Sequence, residues 1–338
     1  MKIREGLSFN DVLLVPQHSK IVSRSNVDIS TDLGKGVRLD IPIISANMKT
    51  VTGPNMAIKI AMLGGMAILH RFDTFSEQLQ NYNRVIEALN LETILVNRVG
   101  ISVGVTDHIF NENLISKTEA KVVCVDVAHG DHELALRATE KIANKFPNVL
   151  LIAGNVATGS GAYRLWNAGA DVVKVGIGSG ATCSTRIETG NGVPQLTAIY
   201  DCYNQVYLPS GRPKIISDGG CKQAGDVVKS LCFADCVMLG SMLAGTDEAP
   251  GEAVTFQGKM YKKYAGSSTY KTNHIEGVAG FVPYKGPVSK VIQNIVEGLK
   301  SGLSYQGCEN LEELKENPEF IRITHAGLIE SRPHAELY

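Results

Sequence analysis

Eight short runs of apolar and β-branched residues recur along the chain, with helical patterns filling the intervals between them. They are IPIISAN (41–47), MAILH (66–70), ISVGV (101–105), VVCVDVA (122–128), VLLIAG (149–154), DVVKVGI (171–177), PKIISDG (213–219) and ADCVMLG (234–240). Most are continuous rather than alternating, as strands covered on both faces should be. The clearest intervening helix is HELALRATEKIANKF, where Leu134, Ala138, Ile142 and Phe146 recur every fourth residue and Pro147 closes the pattern. Eight strands alternating with helices predict an α/β fold, a (β/α)8 barrel. A doubly wound open sheet would carry a dinucleotide fingerprint after its first strand. Here that strand runs into SANMKTVTGPNM, which has no GxGxxG. The barrel is the better reading, and 338 residues suit a single one spanning 1–338.

Composition narrows the class. Hydrophobic residues at 44% and charged residues at 20% exclude a disordered chain. Thirty-three basic against thirty-four acidic residues argue against nucleic acid as a partner, while leaving room for a local pocket for one phosphate. The N-terminal MKIREGLSFNDVLLVP has no apolar signal core, and no run approaches a membrane span, so no membrane association is expected. The seven cysteines are odd in number and none form a CxxC pair, so neither a disulfide framework nor a zinc ribbon is indicated. A reduced, cytoplasmic enzyme is expected.

Barrel chemistry sits at the C-terminal ends of the strands. Those ends read SANM, LHRF, DVAHG, AGNVAT, GIGSGATCSTR, SDGG and LGS, rich in glycine and reactive side chains. After the last strand, 251–286 form an excursion far longer than a usual barrel loop, expected to act as a lid at about 255–285. The loop KVGIGSGATCSTR (174–186) is the most informative segment. Gly176, Gly178 and Gly180 allow successive N–H groups to converge on an anion, and SDGG (217–220) and LGS (239–241) add glycines where barrels bind phosphate. Cys183 lies in this loop beside Arg186, surroundings that favour a thiolate, and is the candidate covalent nucleophile. Cys124, Cys232 and Cys236 lie inside apolar runs and read as inert core. Asp218 fits two roles equally: accepting ribose hydroxyls, or capping the helix in GCKQAGDVVKSL. Asp126, His129, His70 and Arg71 form no metal signature, and Arg71 suits a second phosphate-bearing ligand better. Glu276 is the only acid between Glu252 and Glu297, placed where a lid would carry it over the site.

KVGIGSGATCSTR resembles the active-site loop of the IMP dehydrogenase/GMP reductase family. The resemblance extends through LSFNDVLLVP (7–16), VSRSNV (22–27), PIISANMKTVT (42–52), AGNVATG (153–159), GNGVPQLTA (190–198), SDGGC (217–221) and VMLGSMLAGTDEAPGE (237–252). It implies a barrel enzyme, usually tetrameric, working through a purine C2 adduct on Cys183. Two reactions compete: reductive deamination of GMP to IMP by NADPH, and oxidation of IMP to XMP by NAD+. The sequence favours the reductase. It carries no regulatory CBS pair, and its lid, YAGSSTYKTNHIEG, has no arginine to pair with tyrosine as the dehydrogenase flap does. GKMYKKYAGSS, LSYQG and SDGGC also resemble bacterial reductases, whereas GTDEAPGE and the tail ITHAGLIESRPH (within about 320–338) resemble dehydrogenases. Ala181 and Asn273 depart from the family pattern. The alternatives are a dehydrogenase without CBS domains, or a non-catalytic nucleotide-binding barrel.

By resemblance, Cys183, Thr185 and Glu276 are catalytic. Asp218, Gly219, Gly220, Gly240 and Ser241 hold ribose and phosphate, and Ala265, Gly266, Ser267, Asn273 and Gly277 cover the base. Ser23, Arg24, Arg71, Asp126, Val127, Ala128, Ile177 and Gly178 meet the dinucleotide, NADPH, and Ser301, Gly302, Leu303 and Ser304 reach a neighbouring subunit's cofactor. Carbonyls of Gly178, Gly180, Cys183 and Arg186 are candidates for a monovalent cation, K+.

Overall fold

The computed structural model describes residues 3–90, 92–206, 212–266 and 277–333. Eight parallel strands close into a barrel: β1 (Ile43–Ser45), β2 (Met66–Leu69), β3 (Val99–Val103), β4 (Val122–Asp126), β5 (Leu150–Val156), β6 (Val172–Val175), β7 (Lys214–Asp218) and β8 (Cys236–Leu239). Closure comes from β8 pairing with β1, Met238 opposite Ile44. Each apolar run noted above contains or overlaps one of these strands. Their continuity has the expected cause, since Ile43, Ile44, Met66, Ile68, Val122, Leu150, Val172 and Cys236 are all wholly buried.

Helices follow the strands in turn: Pro54–Met62, Phe75–Ala88, His108–Thr118, Glu133–Lys145, Gly159–Asn167, Gln195–Val206, Ala224–Leu231 and Val288–Gln306. Sequence sets their starts. Thr74 and Glu77 form a capping box, and the Asp107 and Thr158 side chains accept from Phe110 and Gly161 N–H. One helix face departs from its reading. In Glu133–Lys145 the buried residues are Ala135, Ala138, Thr139 and Ile142, while Leu134 is 43% exposed. The stripe is rotated because a repeat of four drifts away from the 3.6-residue turn.

The excursion after β8 is more ordered than a simple lid. Ala253–Phe256, Lys259–Ala265 and Ala279–Pro283 form an antiparallel three-stranded sheet, with Lys262, Tyr264 and Ala265 turned inward and buried. At the other end of the chain, Val12–Leu14 pairs with Phe320–Arg322, joining the two termini. Among the described residues, no helix is long and apolar enough to cross a membrane.

Candidate functional site

The strand ends surround a cavity of about 220 Å³ at the C-terminal face of the barrel. Cys183, Thr185, Asp218, Gly219, Gly220, Gly240, Ser241, Gly266, Arg71, Asp126, Val127, Ala128, Ile177, Gly178 and Gly180 all line it. The Cys183 thiol donates to Thr185 Oγ1 at 3.2 Å, and its N–H donates to the Gly180 carbonyl at 3.1 Å. Cys183 is half-buried, whereas Cys124, Cys202, Cys221, Cys232 and Cys236 are buried. Burial pushes the Cys124 and Cys221 thiols up to about 12, so these are the inert cysteines.

Glycine is required where the loop after β6 passes the end of β7. A Cβ on Gly176 would stand 2.0 Å from the Asp218 carbonyl oxygen, and Gly176 has φ +154°. At Gly219, φ is +92° and a Cβ would meet Ser179 Oγ at 2.7 Å. The two loops thus approach too closely for any side chain at either point. Ser179 ties them by donating to Gln195 Oε1 at 2.8 Å and to the Asp218 carbonyl at 3.2 Å.

Asp218 does not cap the next helix. That helix runs Ala224–Leu231 with Gln223 at its N-cap, too far along the chain for Asp218 to serve it. The carboxylate points instead into a polar cluster on the cavity floor. Its Oδ2 accepts from Asn155 Nδ2 at 2.8 Å and Lys174 Nζ at 3.0 Å, and among the described residues Oδ1 has no hydrogen-bond donor. Lys174, 3% exposed at its side chain, also donates to Asp126 Oδ1 at 3.1 Å and to Asn155 Oδ1. Burial alone would lower the Lys174 ammonium, but Asp218 and Asp126 outweigh it and hold the group firmly charged. Burial would likewise raise Asp126, yet Lys174 and Arg71 keep it below the usual carboxylate range. Arg71 Nε reaches the Asp126 carbonyl at 3.0 Å. Asn155 sits at a register shift between β5 and β6, where the bulge turns its amide toward Gly176 and Asp218.

Residues 6–334 match the family described as the IMP dehydrogenase / GMP reductase domain. The chain belongs to this family. Among its relatives, the inosine-5'-monophosphate dehydrogenase of Nitrosopumilus maritimus is 32% identical, with 99% of each chain covered. Those of Aquifex aeolicus and Bacillus subtilis are 34% and 32% identical, each covering 98% of this chain and 96% of the relative. The aligned lengths, 470 to 476 residues, exceed the 338 residues here, so these dehydrogenases carry additional length within the matched region.

Not every residue expected of a family member reaches the cavity. Arg186 sends its guanidinium to the Val193 carbonyl at 2.6 Å and packs along Gly178 and Gly192, bracing the loop. No hydrogen bond or ion pair joins it to the Cys183 sulfur among the described residues. The turn Arg24–Asn26, with Ser23 as its cap, packs on the helix Val288–Gln306 that carries Ser301–Ser304. None of Ser23, Arg24 and Ser301–Ser304 lines the cavity, and the Leu303 side chain faces the core. Ala265 is buried in the excursion sheet opposite Ala279. Gly277 lies against Gly266, and Val278 N–H donates to the Thr182 carbonyl, which pins the base of the lid beside Cys183. Ser267, Asn273 and Glu276 lie outside the described residues.

Sequence reading missed Lys174, Asn155, Asn47, Met48 and Tyr264, which also line the cavity. Lys174 had a signal: a lysine inside DVVKVGI, an otherwise apolar barrel strand, must be paired once buried. Tyr264 had none, because its hydroxyl reaches the cavity only through the fold of the excursion. There it lies where a Cβ on Gly240 would sit 2.8 Å away, and burial pushes its phenol up to about 12.

Proposed function

We propose that the protein oxidises IMP to XMP at purine C2, with NAD+ as hydride acceptor and through a covalent adduct on Cys183. One observation carries the reading: a partly open cysteine, hydrogen-bonded to a threonine, shares a cavity with a carboxylate that has one oxygen unclaimed. The dehydrogenase name of the similar relatives favours oxidation over the reductive deamination expected from the lid sequence.

Each residue then has a defined task. Cys183 adds its sulfur to C2, and later leaves as thiolate when water takes its place. Thr185 sets a hydroxyl beside the sulfur, able to pass a proton to or from a group on the same carbon. Asp218 offers Oδ1 to the ribose hydroxyls while Lys174 and Asn155 fix Oδ2. The loops at Gly219–Gly220 and Gly240–Ser241 hold the phosphate. Arg71, Asp126, Val127, Ala128, Ile177 and Gly178 line the same cavity and fit a dinucleotide, with Arg71 anchored to Asp126 through Nε and its terminal nitrogens offered to a phosphate. A bound nicotinamide dinucleotide supplies the hydride acceptor. Atoms balance as IMP, NAD+ and water giving XMP, NADH and a proton. A homotetramer in the reducing cytoplasm completes the proposal, with Ser23 and Arg24 meeting the dinucleotide and Ser301–Ser304 reaching a neighbour's. Carbonyls of Gly178, Gly180, Cys183 and Arg186 are the proposed contacts of a monovalent cation.

GMP reduction by NADPH is the second reading, favoured by one feature: residues 251–286 contain no arginine but do contain Glu276. Following nicotinamide absorbance with IMP plus NAD+, and separately with GMP plus NADPH, decides between them. Steady XMP formation is expected. A single burst of reduced cofactor without XMP, together with GMP turnover, would establish the reductase instead. In that case Glu276→Gln should lower GMP reduction by roughly two to four orders of magnitude.

A further inference from the structure

Two lysines of the excursion grip the backbone that follows β8. Lys262, on the inward face of Lys259–Ala265 and 3% exposed, donates to the carbonyls of Thr246 at 2.9 Å and Ala249 at 2.5 Å. The Asp247 carbonyl lies 3.5 Å from the same ammonium. Lys285, just past Ala279–Pro283, donates to the carbonyls of Ser241 at 2.9 Å and Met242 at 2.8 Å. These last two carbonyls belong to the short helix Ser241–Ala244, whose following N–H groups turn to Leu243 instead. Lys285 therefore satisfies acceptors the helix leaves open. Among the described residues neither ammonium has a carboxylate within ion-pair distance: Lys262 feels the Asp247 and Glu248 carboxylates only from farther off, and Lys285 is held by backbone oxygens.

We propose that Lys262 and Lys285 are positioning residues for phosphate recognition, holding in shape the backbone from Ser241 to Ala249 that continues the Gly240–Ser241 turn and placing two ammonium groups behind it. The inference rests on the reading of Gly240 and Ser241 as a phosphate cradle. A dianionic phosphate at the cavity edge gains from positive charge held close behind the backbone it contacts, the more so where water is scarce. The sheet thereby becomes part of the phosphate site, although neither lysine lines the cavity. Its backbone is bonded to the same segment without the lysines: Lys285 N–H donates to the Gly245 carbonyl at 2.9 Å, and Asp247 N–H to the Gly286 carbonyl at 3.0 Å. Variants that shorten neither strand should keep these bonds and fold.

Ribose 5-phosphate is the probe, because it carries the phosphate without the purine on which the proposed reaction depends. Its affinity is measured by calorimetry for the full chain and for Lys262→Met, Lys285→Met and Lys285→Arg, with thermal melts of each. Lys285→Met should weaken binding about tenfold or more, and Lys285→Arg should restore most of the loss. With nucleotide substrate, KM should rise by the same factor while kcat stays within about threefold. Should Lys262→Met fail to fold, the Lys285 pair decides alone. No binding by the wild type, unchanged affinity in Lys285→Met, or a lower melting temperature with affinity intact would each overturn the inference. Failure of IMP and GMP turnover in the wild type overturns the proposed function instead and leaves the ribose 5-phosphate result standing.

Discussion

Buried networks of lysine and carboxylate stand at opposite ends of the barrel, and those around Lys174 and Asp235 are built in opposite ways. At the C-terminal face one cation, Lys174, sits between Asp126 and Asp218, whose side chains are 14% and 22% exposed. At the start of β8 one carboxylate, Asp235, sits among Arg212, Lys214 and Lys315 and is wholly buried. Arg212 grips it with two nitrogens at 2.8 and 3.0 Å, Lys315 adds a bond at 2.8 Å, and Ile215 N–H another at 2.8 Å. Every acceptor position of Asp235 is taken. Asp218 keeps an oxygen facing the cavity. A saturated network can only hold the fold together, whereas an unsaturated one at a cavity wall can bind something.

The sharpest test on the open side is Cys183→Ala. Turnover should fall by roughly 10⁴-fold or more, with nucleotide binding and melting temperature retained, since the sulfur serves chemistry alone. At the closed end Asp235→Ala should do the reverse. It strands Arg212 and Lys315 without their partner and should cost about 3–5 kcal/mol, read as a lower urea midpoint, while kcat of the folded enzyme holds. Lys174→Met should fall between the two. Nucleotide affinity should drop by roughly 1.5–3 kcal/mol, yet the stability loss should be smaller than for Asp235→Ala, because cavity water can reach the freed carboxylates. Equal destabilisation by both variants would erase the contrast.

Acid separates the networks further. Burial would raise the Asp235 carboxyl, but Lys315, Arg212 and Lys214 outweigh that and hold it far below the usual range. Its contribution is therefore complete above the unfolded value of about 3.9 and declines as pH falls below it, by about 1.4 kcal/mol per pH unit. Asp235→Asn should flatten that part of the stability profile in acid denaturation. The smallest expected effect is Leu134→Ser, within about 0.5 kcal/mol, because that side chain lies on the solvent side of its helix.

Legibility followed the range of the forces involved. The barrel strands could be read because burial on both faces leaves a continuous apolar run, a purely local signature. Cys183, Asp218 and Arg71 could be read because barrels place chemistry at strand ends. That Asp218 does not cap the next helix could not be read, since its carboxylate is held by Lys174 and Asn155 on other strands. The excursion looked like a loop because Lys259–Ala265 carries three lysines, an unpromising strand composition. Its order comes from antiparallel pairing across 253–283 and from backbone bonds to the turn after β8, partners that lie elsewhere in the sequence.

The pairing of Val12–Leu14 with Phe320–Arg322, and of β1 with β8, has a consequence for biogenesis. During synthesis β1 waits for almost two hundred further residues before its second neighbour emerges, and Val12–Leu14 waits longer still. Contacts of such sequence separation are slow to form and leave strand edges unprotected meanwhile. A chain interrupted before residue 236 therefore leaves β1 an open edge, and one interrupted before residue 320 leaves Val12–Leu14 without its partner, the kind of nascent chain that chaperones must cover.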